Sequence, residues 1–337
     1  MPFLQYAYIQ TGSDFFNWTV LAAVLLIQIV FGLVTPGQSH TPPYLWWFAQ
    51  SLTKALAAKL DRKNRGESAL FIRGALSLGF LLIVAVSTVR LSDILQTRMD
   101  FGWFVIPALV WGSINVTVPW RALRNMIGAK DLKSLSKQAN GLSDLTGVRF
   151  KSSDPHTVAR TAILFACVSF VRYVVAPVMI FGFFGVPFLV LYVFVAAGVG
   201  SDFVGVEGKH NYSKLRRLVV TLVEFIPARI AAFYIYLSSI LTPTGHPKAC
   251  LENMFDGSQS FKGASLSFAI KSFAGAAGVS LGGGLTFKDG GKISRPWVGH
   301  KSATAKAEIA DIKRAFVLHV FACVFVLLTL LFMIVGI

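Results

Sequence analysis

Two arginines and a glutamate lie where the chain is otherwise almost free of charge. Arg172 interrupts the apolar run "FACVSFVRYVVAPVMIF" at 165–181, and Glu224 and Arg229 lie in "VVTLVEFIPARIAAFYIYLSSIL" at 219–241. A guanidinium stays charged and offers a planar fork of donors that matches a carboxylate or a phosphate. At membrane depth a charge is costly, so it faces a protein partner or a water-filled space. Two arrangements satisfy that requirement. The charges either form a buried ion-pair network that fixes helix packing, or line a cavity for an anionic group. Asp202, at the edge of the neighbouring apolar run, is the second acid within reach. The candidate ligand-binding or ion-pair residues are therefore Arg172, Glu224, Arg229 and Asp202.

Other residue types that do chemistry are scattered. The histidines His40, His156, His210, His246, His300 and His319 are dispersed, and His319 has a possible ligand at helical spacing in Cys323. Two ligands fall short of a zinc site, which takes three or four. Cys167, Cys250 and Cys323 are too widely spaced to suggest a disulfide framework. The tract "FAGAAGVSLGGGLTFKDGGKIS" is rich in glycine, but its GGK lacks the upstream glycine of a P-loop and is followed by isoleucine. It reads as a tight-turn loop with close helix approach, with a phosphate cradle as the other reading. Carboxylates that could hold a magnesium ion are few near the apolar runs. No catalytic residue, metal or cofactor is expected on these grounds.

The elements that must position these residues are membrane helices. The 337 residues are 54% hydrophobic and 14% charged, far from the quarter or so of charged residues in soluble domains. Apolar runs at 15–34, about 70–89, 101–120, 161–181, about 184–200 and 315–337 approach the roughly 20 residues that cross a bilayer. The pair 161–181 and 184–200 reads as a helical hairpin around "GFFGVP". Pro227 is expected to kink the helix at 219–241 so that it does not cross fully. That gives about six crossings, with amphipathic and kinked interfacial helices. "TPPYLWWF" reads as an interfacial aromatic cluster, and "LTKALAAKLDRKNRGES" as a basic amphipathic helix on the membrane surface.

The net charge of +16, from 32 Lys and Arg against 16 Asp and Glu, flanks the apolar runs. It fits anionic lipid headgroups and gives no nucleic-acid footprint. Basic segments at about 121–160 and 242–314 are expected on the cytoplasmic side, with both termini outside. The N-terminus has no Lys or Arg before its first apolar run, so that run is expected to be retained rather than cleaved as a signal.

Several stretches are similar to the cobinamide-phosphate synthase (CobD/CbiB) superfamily. "RTAILFACVSFVRYVVAP" aligns without a gap from Arg160 to Pro177, and "GVPFLVLYVFVAAGVGSD" resembles the family's glycine-proline hairpin with its tyrosine. "VEFIPARIAA" and "AAGVSLGGGLTFKDG" resemble its P-A-R and alanine-rich L-G-G segments, and "VTPGQSHTPP" and "FIRGALSL" its N-terminal elements. The resemblance covers most of the chain, with the specific motifs at its centre. Where the synthases carry acids and amides, this chain has Leu164, Val168, Ser169 and Arg172, then residues near Ala196 and Val199, then Val220 and Thr221. The AmpE-like branch also carries arginine at the position of Arg172 and an acid before the aromatic, as in "EFIPARI". That branch implies a bacterial inner-membrane regulator or sensor of the β-lactamase-induction, cell-envelope type, without an established reaction.

The expected molecule is thus an all-α, multi-pass membrane protein forming a single domain over 1–337. It is expected to be non-catalytic and to act through a protein partner or an anionic small ligand. A diverged synthase of cobalamin biosynthesis is the alternative. On the AmpE-like alignment Arg172 takes the place of a former active-site acid, and a pairing with Glu224 would be a charge arrangement reversed at that site.

Overall fold

A computed structural model describes residues 14–34, 42–62, 66–100, 102–150, 154–197, 211–256, 265–286 and 292–336. The fold is an all-α bundle. In chain order it comprises α1 (Asp14–Val34), α2 (Tyr44–Leu60), α3 (Glu67–Arg98), α4 (Val105–Ser113), α5 (Thr117–Ile127), α6 (Leu132–Gln138) and α7 (Asn140–Thr146). There follow α8 (Pro155–Phe170), α9 (Ala176–Ala197), α10 (Lys214–Val223), α11 (Phe225–Leu241), α12 (Pro247–Phe255) and α13 (Ser267–Ala277). A two-stranded antiparallel hairpin, β1 (Leu281–Thr286) and β2 (Lys292–Val298), precedes the last helix, α14 (Ile309–Val335). Among the described residues, five stretches are long and apolar enough to cross a membrane, and there are six if the bent pair α10–α11 is counted as one span. The chain is a polytopic helical membrane protein.

The centre of the bundle is α8. Every residue from Val158 to Phe170 is buried, Arg160 included, as expected of a largely apolar helix surrounded by others. Asp154 caps its first turn by accepting from the Thr157 amide, and Pro155 fits the first helical position. The terminal helix α14 packs on α1, α5, α8 and α11, while α9 packs on α2, α3 and α4.

Four irregularities interrupt the helices. Between α8 and α9 the chain runs through a single π turn, Val171–Val175. At Gly185 it takes φ 76° and ψ −171°, a region essentially reserved for glycine, and there α9 turns back on itself. The 161–181 and 184–200 segments therefore form the hairpin the sequence suggested, with its return arm described from Val186 to Ala197. The apolar segment expected to span at 101–120 is broken between α4 and α5. Gln28 of α1 repairs that break, donating to Ile114 O at 2.8 Å and accepting from the Val116 amide at 2.9 Å. The fourth irregularity is the 53° bend between α10 and α11. It sits at Glu224, three residues before the proline, because Pro227 has no N–H for the Val223 carbonyl one turn back.

Two sequence expectations come out differently. The glycine-rich tract is not a loop alone: it builds the end of α13 and strand β1, with a bulge between Leu281 and Gly283 where glycines at φ 144° and 84° let the strand kink. "TPPYLWWF" does not lie wholly at an interface either. Trp47 and Phe48 are exposed, but Trp46 is buried and points into the bundle.

Candidate functional site

The three irregular points of the hairpin half converge on one cluster. The π turn of Val171–Val175 carries Arg172, the α10–α11 bend carries Glu224, and the arm returning from Gly185 carries Tyr192. Arg172 Nε donates to Glu224 Oε1 at 2.9 Å, with both side chains almost fully buried. The Tyr192 hydroxyl lies 3.2 Å from the same oxygen, and 3.3 Å from the Arg172 carbonyl. With one proton to give and the carboxylate the stronger acceptor, the phenol donates to Glu224 in the ionised pair.

The backbone needs these polar neighbours as much as the charges do. Widening a helix into a π turn leaves carbonyls open to partners outside it. Here the Arg172 carbonyl faces the Tyr192 hydroxyl, and the Tyr173 carbonyl accepts from the Asn115 amide at 2.9 Å, at the α4–α5 break. Asn115 Oδ1 in turn accepts from the Val118 amide and starts α5. Trp46 closes one side of the cluster, edge-on to Tyr173 at 4.8 Å and to Tyr192 at 6.1 Å between ring centroids. Its indole N–H donates to Ser113 O at 2.7 Å.

Of the four residues picked from the sequence, the structure brings together Arg172 and Glu224. Arg229 does not join them. It is exposed, donates to the Phe225 carbonyl at 2.8 Å and stacks on the Phe225 ring at 3.4 Å. That position suits an arginine reaching out of the bundle. Asp202 lies outside the described residues. Tyr192 and Trp46, which the sequence shows only within the hairpin motif and the aromatic cluster, join the pair together with Asn115. Each was detectable as a polar atom inside or beside an apolar run, which at membrane depth demands a partner.

His319 is buried on α14 and accepts at Nδ1 from the Trp120 indole at 2.7 Å, with Cys323 Sγ at 3.5 Å. An imidazole nitrogen accepting from an indole N–H carries a lone pair there, so this is a neutral histidine fastening α5 to α14. The three cysteines are free and buried. Outside the spans, Glu252 meets His300 Nε2 at 2.9 Å beside a cavity of about 360 Å³ that Asn253, Asp256 and Lys301 also line.

A larger cavity of about 620 Å³ opens beside the ion pair, between the hairpin arms, the α10–α11 bend and Leu82 of α3. Its lining is hydrocarbon and aromatic, apart from Tyr192, whose ring forms part of the wall. Compared with known proteins, the chain matches no family model, no curated protein and no solved structure.

Proposed function

We propose that this chain is a non-catalytic regulatory or sensory protein of a bacterial inner membrane, of the AmpE-like kind. In this reading the Arg172–Glu224 pair is the element through which it changes state. One observation carries the proposal: the buried pair sits where a π turn, a bent helix and a glycine hairpin meet. A buried ion pair is a poor device for stability alone, because apolar groups of the same volume serve as well or better. It suits a two-state element, because each charge left without the other is strongly penalised. Glu224 Oε1 is engaged by a guanidinium and a phenol, which favours regulation over a synthase that would hold acids ready for a metal-bound phosphate. The basic segments at about 121–160 and 242–314 are suited to anionic headgroups or to an acidic partner on the same side of the membrane.

The test is a deletion strain of the bacterial host complemented with wild type or with Arg172→Met/Glu224→Leu, which removes the charges and keeps the volume. The double variant is expected in the membrane at wild-type level while failing to restore an envelope-stress or β-lactamase-induction reporter. Growth that depends on cobalamin synthesis is expected to stay normal in the deletion strain. Full complementation by the double variant, or loss of that growth, overturns the proposal.

A further inference from the structure

We infer that the 620 Å³ cavity holds one acyl chain of a bilayer phospholipid, and that this chain presses Tyr192 onto the Arg172–Glu224 pair. The inference deepens the sensory reading above and rests on it for the meaning of the coupling, though not for the occupancy itself.

The occupant follows from the chemistry of the walls. The volume is that of a single-ligand site, within the range of about 300–1,000 Å³ typical of such pockets. Met179, Phe188, Leu191, Val219 and Leu82 present hydrocarbon and aromatic faces, and the polar surface inside is almost nil. Water needs two to four polar partners and finds none there. A charged headgroup would meet no counter-charge in the lining. An empty cavity would forfeit the dispersion contacts of its whole lining. Of its lining residues, Phe183, Phe184 and Ile226 are exposed on membrane-spanning segments. The mouth therefore opens toward lipid hydrocarbon, and the chain at hand to fill it is an acyl chain.

The coupling follows from which residues form the walls. Val220 and Val223 precede Glu224 and Pro227 follows it, so both sides of the bend line the cavity. Tyr192 contributes its ring to the wall and its hydroxyl to Glu224 Oε1. A chain that packs against this ring holds the phenol on the carboxylate. Withdrawing the chain frees the ring to move inward and take its hydrogen bond away from the pair.

The experiment uses the full chain reconstituted in phosphatidylcholine–phosphatidylglycerol vesicles containing a phospholipid with a diazirine in its acyl chain. After irradiation, crosslinks are mapped by mass spectrometry. Peptides covering 179–195 and 219–227 are expected to label several-fold above those of the outer face of α14 around Phe332. The excess should be competed by unlabelled phospholipid. Leu191→Trp or Val219→Phe, each adding bulk to the cavity, should abolish the excess and leave α14 labelling unchanged. Two substitutions on different helices guard against a fold defect in either, with circular dichroism and gel filtration as the check. Equal labelling of cavity and α14 peptides, or an excess that survives in folded variants of both kinds, overturns the inference. Competition by free fatty acid but not by phospholipid also overturns it. An excess that is unchanged in Arg172→Met/Glu224→Leu keeps the lipid site and removes the coupling, so failure of occupancy and failure of the sensory reading are told apart.

Discussion

Removing Glu224 alone should damage the protein far more than removing both members of its pair. At 2.9 Å the gross attraction is about 6 kcal/mol for an effective dielectric constant near 20. Desolvation of several kcal/mol for each ion offsets it, so the pair as a whole is close to neutral against apolar groups of equal volume. The balance changes when one partner goes. Glu224→Leu leaves a guanidinium that is 4% exposed without its carboxylate, a loss of roughly 3–5 kcal/mol. Arg172→Met should cost a similar amount for the stranded carboxylate, softened by the Tyr192 hydrogen bond, which is worth about 1.5–3 kcal/mol to a charged acceptor. The double variant Arg172→Met/Glu224→Leu should return to within about 1–2 kcal/mol of wild type, giving a coupling energy of several kcal/mol, large for a pair in contact. The assay is reversible unfolding in mixed micelles by titration with a denaturing detergent, for wild type, both single variants and the double. Exchanging the charges, Arg172→Glu with Glu224→Arg, should recover stability relative to either single exchange. Additive single effects, or a Glu224→Leu cost below about 1 kcal/mol, would refute the reasoning that the pair is desolvated and mutually dependent.

Gly185→Ala should cost on the order of 1–3 kcal/mol or more, because its φ of 76° and ψ of −171° exclude a side chain. Gly79→Ala, whose added methyl meets nothing within 4 Å, is the control, and it should be neutral or stabilising by about 0.5–1 kcal/mol in helical context. Yield of folded protein after purification reads both. Cys167, Cys250 and Cys323 should resist maleimide in intact vesicles and react together after denaturation, so rapid labelling of any one in the folded state would contradict its burial. The Asp131 carboxylate accepts from the Ser134 amide at the start of α6, which holds it below the usual carboxylate range. The folded value being the lower, this cap is fully present above the ordinary value near 4 and is lost as pH falls through the folded one. Hydrogen exchange of the 131–138 peptide, corrected for intrinsic rates, should therefore differ between wild type and Asp131→Ala at neutral pH and converge in acid.

How much was legible in the sequence follows the physics of each signal. Long apolar runs and their basic flanks announce membrane helices directly, and the charges in those runs announce that they need partners. Arg172 and Glu224 could be matched because each stood nearly alone among apolar neighbours. Arg229 carried the same signal but resolves it by stacking on Phe225, a local solution that charge counting does not distinguish from pairing. The breaks were harder to read. The run at 101–120 is continuous in hydropathy, and its interruption depends on Gln28, more than 80 residues earlier, to satisfy the Ile114 carbonyl and the Val116 amide. Pro227 signalled a bend but not its location at Glu224. The π turn left no compositional trace, since the Tyr173 carbonyl is met by the backbone amide of Asn115.

The irregular points share partners, and that gives the ion pair a reach beyond its own contacts. Inside a membrane every backbone group freed by a break must find a partner in the protein. The π turn's Tyr173 carbonyl takes the Asn115 amide, and Asn115 also starts α5 by accepting from Val118. Gln28 joins the same break to α1, and α5 then meets α14 through Trp120 and His319. It also holds the last turn of α1 through Arg124, which donates to Gly32 O at 2.6 Å. A shift of the π turn large enough to separate Arg172 from Glu224 would therefore pull on Asn115 and on the entry to α5. The basic stretch at about 121–160 begins within α5 itself. The polar contacts thus form a continuous physical connection from the apolar cavity to a basic segment N-terminal to the pair. A connection of this kind transmits state only if the pair has two arrangements, which is why the double variant, not the single charge removals, is the decisive perturbation.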